Sequence, residues 1–249
     1  MIELKSAQQI ELMRAAGKIV AETHKLVKEE AKPGVSTLKL DKLAEEYIRS
    51  QGATPSFKNY NGYPATLCIS IDDQVVHGIP SKKRLIKEGQ LVSIDVGAKK
   101  DGYHGDAARS FYIGGPDEKT KKLLRVTEEA LNLGIEQAVA GNFLGDISFA
   151  IQKHAEDNGF SVVRDLVGHG IGKKLHEEPQ VPNYGNPKTG VKLNEEMTIA
   201  IEPMVNAGGW TIRLLEDAWT VVTADGSRSA HFENTIAILK NGAEILTKI

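Results

Sequence analysis

The chain is similar to itself at an offset of 107 residues, and this repetition constrains its fold more than any other feature. Gly34 and Gly141 each end a long segment with apolar residues at helical spacing, and Gly52 and Gly159 each end a shorter one. Each unit then continues into strand-like sequence. The order predicts two related helix-helix-sheet halves, about 1–113 and 114–249, that pack as one α+β domain spanning 1–249.

Helical spacing and helix-capping or helix-stopping residues predict four helices. Their predicted bounds are 6–31, Ser36 or Thr37 to Gly52, 117–140, and about Asp146 to Gly159. The tripeptide His-Gly-Ile begins at His77 and again at His169, 92 residues apart. We therefore expect an insertion of about 15 residues in the first half, just before His77.

Composition narrows the class of protein and its compartment. With 41% hydrophobic residues, 26% charged residues and a net charge of −2, the chain is expected to form a globular domain without a specific nucleic-acid surface. The single cysteine, Cys68, excludes internal disulfides and fits a reducing compartment. The charged N-terminal segment has no apolar stretch, which predicts a cytoplasmic protein without a membrane partner.

Two aspartates are predicted to face each other in a β-hairpin around the turn "KKDG". If Lys99 pairs with Gly102, then Asp95 lies opposite Asp106, with Cβ atoms roughly 4.5 to 5.5 Å apart. Like charges at such positions are destabilising, and Asp95 follows the apolar run "LVSI", which indicates burial. We therefore expect a cation between the two carboxylates.

Two further acids and a histidine enlarge this predicted cluster. Glu202 ends an apolar run at the repeat position of Asp95. Glu233 follows the Asp225-Gly226 turn, and a hairpin there places it near Trp219. Four carboxylates and His169 suit manganese, iron(II) or cobalt better than a thiolate zinc site. Four carboxylates are enough for two ions about 3.5 to 4 Å apart, an arrangement that hydrolases use to activate water.

The motifs "HGIP", "IDVG", "HGDAARSF", "GHGIG", "LHEEP", "IEPM" and "HFENTIAI" occur in this order, and together they resemble the type I methionine aminopeptidases over nearly the whole chain. The resemblance implies the pita-bread (creatinase/aminopeptidase) fold, with the active site between the two halves. It also implies removal of an N-terminal methionine when the second residue is small, by water that two divalent ions activate. The ions implied are cobalt, manganese, iron(II) or zinc.

The resemblance implies a role for each site residue. The implied metal ligands are Asp95, Asp106, His169, Glu202 and Glu233, of which Asp106 and Glu233 bridge the ions. Glu202 also acts as the base, His176 contacts the scissile carbonyl and His77 the peptide nitrogen. The methionine pocket matches Phe57, Tyr60, Tyr63, Cys68, Leu175 and Trp219, together with His77 and His176. Leu175 replaces a phenylalanine, and Phe57 a cysteine, found in relatives, so the side-chain tolerance of the pocket stays open.

The implied partners are the N-termini of nascent polypeptides, with a transient ribosome contact and a monomeric state. Xaa-Pro dipeptidases and creatine hydrolase are the alternative enzymes, but they carry a large extra N-terminal domain. The 33 residues from His169 to Glu202 and the 31 from Glu202 to Glu233 leave no room for the insertion of type II enzymes. A non-enzymatic pita-bread binding protein is the third alternative, which the five filled ligand positions disfavour.

Overall fold

Four helices form close to the predicted bounds in the computed structural model, which describes residues 2–248. They are α1 (Ala7–Glu30), α2 (Thr37–Ser50), α3 (Glu118–Gln137) and α4 (Leu144–Asp157). The hydroxyls of Ser6 and Ser36 accept hydrogen bonds from N–H groups of the first turns of α1 and α2. α4 begins two residues before Asp146, because the Asp146 carboxylate accepts a hydrogen bond from the N–H of Phe143 and so belongs to the first turn.

Fifteen strands complete the fold within residues 2–248. In chain order they are β1 (Thr54–Pro55), β2 (Leu67–Ile71), β3 (Gln74–Val76), β4 (Leu91–Lys100), β5 (Tyr103–Tyr112), β6 (Ser161–Val162), β7 (Gly168–Gly170), β8 (Glu177–Val181), β9 (Thr198–Ile201), β10 (Met204–Asn206), β11 (Ile212–Leu214), β12 (Val221–Thr223), β13 (Ser229–His231), β14 (Asn234–Leu239) and β15 (Gly242–Ile245). β4 pairs with β1, β2 and β5, and a second sheet has the order β15-β14-β9-β7-β8. The smaller sheets are β13-β10-β6 and β11-β12-β3.

The strand ladders repeat at the same offset of 107 residues as the sequence. Thr54 lies opposite Lys99 in the β1–β4 ladder, and Ser161 lies opposite Asn206 in the β6–β10 ladder. The bounds of α2 and α4 differ by the same offset at both ends. The second helix and the first strand pairing therefore have the same arrangement in both halves.

The two His-Gly-Ile tripeptides are not structural counterparts, contrary to the sequence alignment. Positions 93 and 200 are related by the offset of 107, and they lie opposite Ser70 and His169, respectively. His169 is therefore the counterpart of Ser70 at an offset of 99, and the same offset relates His77 to His176. The first half has eight extra residues rather than about 15, and they lie before β2.

Each pair of helices covers an apolar core on one side of the strands, and this packing orients the acids. Ile94, Val96 and Ala107 belong to an apolar core that α1 and α2 cover. Because side chains alternate along a strand, Asp95 and Asp106 point away from those helices. A second apolar core forms between α3, α4, the five-stranded sheet and the sheet of β13, β10 and β6. Among residues 2–248, none of the helices is both long and apolar enough to cross a lipid bilayer.

Candidate metal centre and substrate pocket

The hairpin of β4 and β5 closes one residue later on each strand than the sequence prediction. Lys100 pairs with Tyr103, so the predicted pairing of Lys99 with Gly102 is wrong. The turn residues are Asp101 and Gly102, whose φ angles of 48° and 87° are both positive. Two positive φ angles define the type I′ turn, which matches the twist of the strands and needs only two loop residues.

This register changes how the two aspartates meet. Asp95 lies opposite Ala108, and Asp106 lies opposite Gly97, so the two acids are diagonal neighbours rather than a facing pair. They still project from the same face of the hairpin, since 106 and 108 differ by two residues. Diagonal neighbours lie roughly 7 to 8 Å apart at Cα, within reach of two carboxylates that point toward each other.

Glu233 reaches the site by a route different from the predicted hairpin. Within residues 2–248, β12 pairs with β11 and β3, whereas β13 pairs with β10, so no β12–β13 hairpin sets Glu233 opposite Trp219. Glu233 lies between β13 and β14, and its N–H donates to the carbonyl of Ala108 at 2.9 Å. Glu202 directly follows β9, at the repeat position of Asp95.

The predicted ligand residues form a cluster in which Asp106, His169 and Glu233 are buried, whereas Asp95 and Glu202 are half-buried. Asp106, His169 and Glu233 each offer an atom within 4.8 Å of the others, and His169 Nε2 lies 3.6 Å from Glu202 Oε1. Three carboxylate oxygens are buried and have no hydrogen-bond partner among residues 2–248: Oδ1 of Asp95, Oδ1 of Asp106 and Oε1 of Glu233. Unpartnered buried carboxylate oxygens are costly without a cation, so the donor set fits divalent metal ions.

Burial raises the pKa of all four acids. The pKa of Asp95 rises to about 7, chiefly because its carboxylate is removed from water. Burial also raises the pKa of Asp106, Glu202 and Glu233 well above the usual range, and neighbouring carboxylates add to this rise. The metal-free cluster therefore holds protons near neutral pH, and cations that bind there replace them.

His169 is held in the form that a metal ligand requires. Its Nδ1 lies 2.9 Å from the carbonyl of Gly170, and because a carbonyl only accepts, Nδ1 carries the proton. The Nε2 lone pair is then free and faces Glu202. Burial lowers the pKa of His169 to about 3, so the ring stays neutral. This orientation through the second ring nitrogen is typical of metal-binding histidines.

The two other predicted histidines are fixed differently. His176 Nδ1 forms a 2.8 Å hydrogen bond with the Tyr60 hydroxyl, and the ring centroid of His176 lies 4.3 Å from that of His169. His77 has a positive φ of 59°, which is uncommon for a residue with a Cβ. Burial lowers the pKa of His77 to about 4, so its ring is also neutral near pH 7.

A cavity of about 230 Å³ contains the cluster and the aromatic pocket together. Its lining includes every site residue that was predicted from the sequence, and Asn61 in addition. The rings of Tyr63 and Trp219 meet edge to face at 5.1 Å and form part of its apolar wall. The cluster of acids and an apolar pocket thus share one cavity.

Sequence reasoning missed two residues beside this cavity. Asn61 lies in the inserted segment with a positive φ of 49°, and that segment alone does not predict that its side chain faces the cavity. His231 Nε2 lies 3.8 Å from Glu202 Oε2 and has no hydrogen-bond partner among the described residues. Its position two residues before Glu233 in the strand-like sequence "HFENTIAI" was a usable signal, since alternate residues of extended chain share a face.

Residues 11–240 match the model of "Metallopeptidase family M24", and the chain belongs to this family of hydrolases. It is 57% identical to a methionine aminopeptidase of Clostridium perfringens over the full length of both chains, and 51% identical to methionine aminopeptidase 1 of Bacillus subtilis, also over both full lengths. The crystal structure of methionine aminopeptidase from Thermotoga maritima is similar with a TM-score of 0.98, at 49% identity and full coverage of both chains.

Prolidase from Pyrococcus furiosus is similar at a lower level, with a TM-score of 0.81 and 26% identity. The match covers 99% of this chain but only 65% of that prolidase. These comparisons confirm the resemblance to methionine aminopeptidases and the pita-bread fold, and they favour the methionine-specific relatives over the Xaa-Pro alternative.

Proposed function

We propose that this metallopeptidase removes the N-terminal methionine from nascent proteins and peptides whose second residue is small. The observation that carries the proposal is the single cavity of about 230 Å³ in which the buried acids and the aromatic pocket meet. An apolar pocket beside a hydrolytic centre selects the side chain next to the bond that is cut. The full-length similarity to methionine aminopeptidases supports methionine as that side chain.

Two divalent ions are proposed to bind five residues: Asp95, Asp106, His169, Glu202 and Glu233. The unpartnered carboxylate oxygens support this set, which suits manganese, iron(II) and cobalt and also accepts zinc. When bound, such ions lower the pKa of a water molecule and polarise a carbonyl. The carboxylate of Glu202 accepts the proton of the attacking water and passes it to the amine that leaves.

His176 is proposed to stabilise the carbonyl oxygen of the scissile bond. When the Tyr60 hydroxyl donates to Nδ1, the proton of the neutral ring is on Nε2, which then donates toward the substrate. Burial lowers the pKa of His176, which keeps the ring in this neutral form. A donor held in place before the reaction stabilises the charge that develops on the oxygen.

His77 is proposed to contact the peptide nitrogen, and it lines the cavity together with His176. The two imidazoles leave little space beyond the scissile bond, which explains a preference for a small second residue. Cys68 is proposed as a wall of the methionine pocket with Phe57, because burial raises the pKa of its thiol well above the usual value and disfavours the nucleophilic thiolate.

The domain organisation, the oligomeric state, the compartment and the ribosome contact are also proposals. We infer a single catalytic domain over 1–249, with halves of about 1–113 and 114–249, that acts as a cytoplasmic monomer. A transient ribosome contact would bring it to nascent N-termini. The single buried thiol of Cys68 supports a reducing compartment, in which these N-termini also emerge.

The test is release of methionine from Met-Gly-Met-Met by the metal-depleted protein after addition of each metal in turn. Xaa-Pro peptides of equal length are the control substrates, and Asp106→Asn is the control variant. We expect methionine release that depends on metal and is lost in the variant. Cleavage of the Xaa-Pro peptides in preference to Met-Gly-Met-Met would instead favour the dipeptidase alternative.

A further inference from the structure

A seam joins β5 to residues 231–235 at the centre of the molecule. The two segments run antiparallel, and contacts link them at three alternate positions. The linked pairs are Ser110 with His231, Ala108 with Glu233, and Asp106 with Thr235. β5 belongs to the first sheet, whereas β14, which begins at residue 234, belongs to the five-stranded sheet. The seam therefore connects β5, which carries Asp106, to the segment with Glu233 that leads into β14.

The middle of the seam is a direct main-chain contact. The N–H of Glu233 donates to the carbonyl of Ala108 at 2.9 Å. The carbonyl of Glu233 accepts a hydrogen bond from the Arg109 guanidinium, which also donates to the side chain of Asn234 at 2.6 Å. Both main-chain polar groups of Glu233 are thus held by consecutive residues of β5.

At both ends of the seam a hydroxyl replaces the main-chain partner. The N–H of Asp106 donates to Oγ1 of Thr235 at 2.9 Å, and the same Oγ1 donates to the carbonyl of Asp106 at 2.8 Å. At the other end, the N–H of His231 donates to Oγ of Ser110 at 2.9 Å, and the same Oγ donates to the carbonyl of His231 at 2.8 Å. A hydroxyl can do this because it offers one donor and two acceptor positions.

Thr235 is fully buried, and its hydroxyl satisfies both main-chain groups of one acid of the cluster. The middle of the same seam holds the main chain of Glu233. Two carboxylates that share metal ions must keep a fixed separation, and of these two Asp106 lies in β5 whereas Glu233 lies just before β14. The contacts that set this separation are therefore those of the seam.

We propose that Thr235 is a positioning residue of the metal centre, whose hydroxyl fixes the main chain of Asp106 relative to Glu233. This inference rests on the proposed function, because it takes both acids as ligands of the same pair of ions. Thr235 is not among the residues that line the cavity of about 230 Å³. Its effect passes through the main chain of Asp106.

The test compares Thr235→Val, which keeps the shape of the side chain but loses the hydroxyl, with Thr235→Ser, which keeps the hydroxyl. Thr127→Val is the matched control, because Thr127 is also fully buried and its hydroxyl donates to Leu123 within α3, away from the site. Titration calorimetry with Mn²⁺ measures affinity and stoichiometry. Electron paramagnetic resonance measures the fraction of Mn²⁺ that is present as exchange-coupled pairs.

We expect Thr235→Val to weaken Mn²⁺ binding by about 10- to 100-fold, the usual effect of removing a partner that orients a ligand. The coupled-pair signal should fall with it. Thr235→Ser should stay within about threefold of the parent, because the hydroxyl is retained. Thr127→Val should lower the melting temperature and leave both metal readouts unchanged.

Unchanged affinity and coupling in Thr235→Val would overturn the inference, and so would equal losses in Thr235→Val and Thr127→Val. If the valine variant does not fold, Thr235→Ala provides the same comparison with a smaller side chain. A parent protein that binds no divalent ion and releases no methionine would overturn the proposed centre itself. That result is distinct from a parent that binds metal and a valine variant that binds it equally well.

Discussion

Removal of divalent metal should destabilise this protein more strongly as the pH rises from 5.5 to 7.5. Model carboxyl groups have pKa values of roughly 4. In the folded metal-free chain, burial raises the pKa of Asp95 to about 7 and that of Asp106 and Glu233 well above the usual range. A raised folded pKa contributes stability below the unfolded pKa that is lost as pH rises through the folded value. Bound metal replaces these protons and removes the loss.

The magnitude follows from the number of protons that metal displaces. Each displaced proton changes the difference in unfolding free energy by about 1.4 kcal/mol per pH unit. Release of protons from Asp106 and Glu233 alone gives about 2.7 kcal/mol per pH unit. At roughly 2 to 4 °C per kcal/mol for a chain of this size, the melting-temperature gap should widen by roughly 5 to 10 °C per pH unit.

Paired thermal scans of manganese-loaded and EDTA-treated protein at pH 5.5, 6.5 and 7.5 measure this gap. Burial lowers the pKa of His77 to about 4 and that of His231 to about 3, so both oppose stability at low pH, but neither is a proposed ligand and their effect cancels in the gap. Asp41→Asn is the control, because burial raises the pKa of this carboxyl outside the cluster. A gap that stays constant or shrinks would show that the acids do not form one cluster that metal neutralises.

Three further outcomes test the roles of individual groups. Peptides with Gly, Ala or Ser after the methionine should be cleaved, and cleavage of Met-Lys or Met-Phe at comparable rates would contradict the narrow space beside His77 and His176. His176→Ala should lower kcat/KM by about 10²- to 10³-fold with unchanged metal content by atomic absorption, whereas His169→Ala should lose metal; equal metal loss would refute this division of roles. Tyr60→Phe removes the hydrogen bond to His176 and should lower kcat/KM by about 2- to 10-fold, with metal content again unchanged.

Local sequence signals predicted the helices well, and the residues named from the sequence line one cavity. Apolar spacing and the caps at Ser6 and Ser36 set α1 and α2 within one or two residues. The burial of the apolar run before Asp95 is likewise a local property. These features depend on a few neighbouring residues, so a single sequence contains the information that they need.

Pairing between segments was predicted less well, because it depends on backbone angles and on distant contacts. The register of β4 and β5 follows from positive φ at Asp101 and Gly102, and composition alone did not distinguish the two possible closures of that turn. The shared tripeptide at His77 and His169 suggested a wrong equivalence, which only the strand ladders correct. The hydroxyl of Thr235 forms a hydrogen bond with the main chain of Asp106, which is 129 residues away in the sequence. No periodic pattern in the sequence relates two positions at that separation.

The eight extra residues before β2 have a consequence for how this enzyme can be altered. They lie in the segment that supplies Phe57, Tyr60 and Tyr63, which the second half of the repeat does not duplicate. The carboxylate of Asp41 in α2 accepts hydrogen bonds from the N–H groups at 66 and 67, which attach the segment to its own helix pair. Tyr60 in addition links the segment to His176. Exchange of Phe57 and Tyr63 therefore offers a way to change selectivity, whereas Tyr60 has to be kept for the orientation of His176.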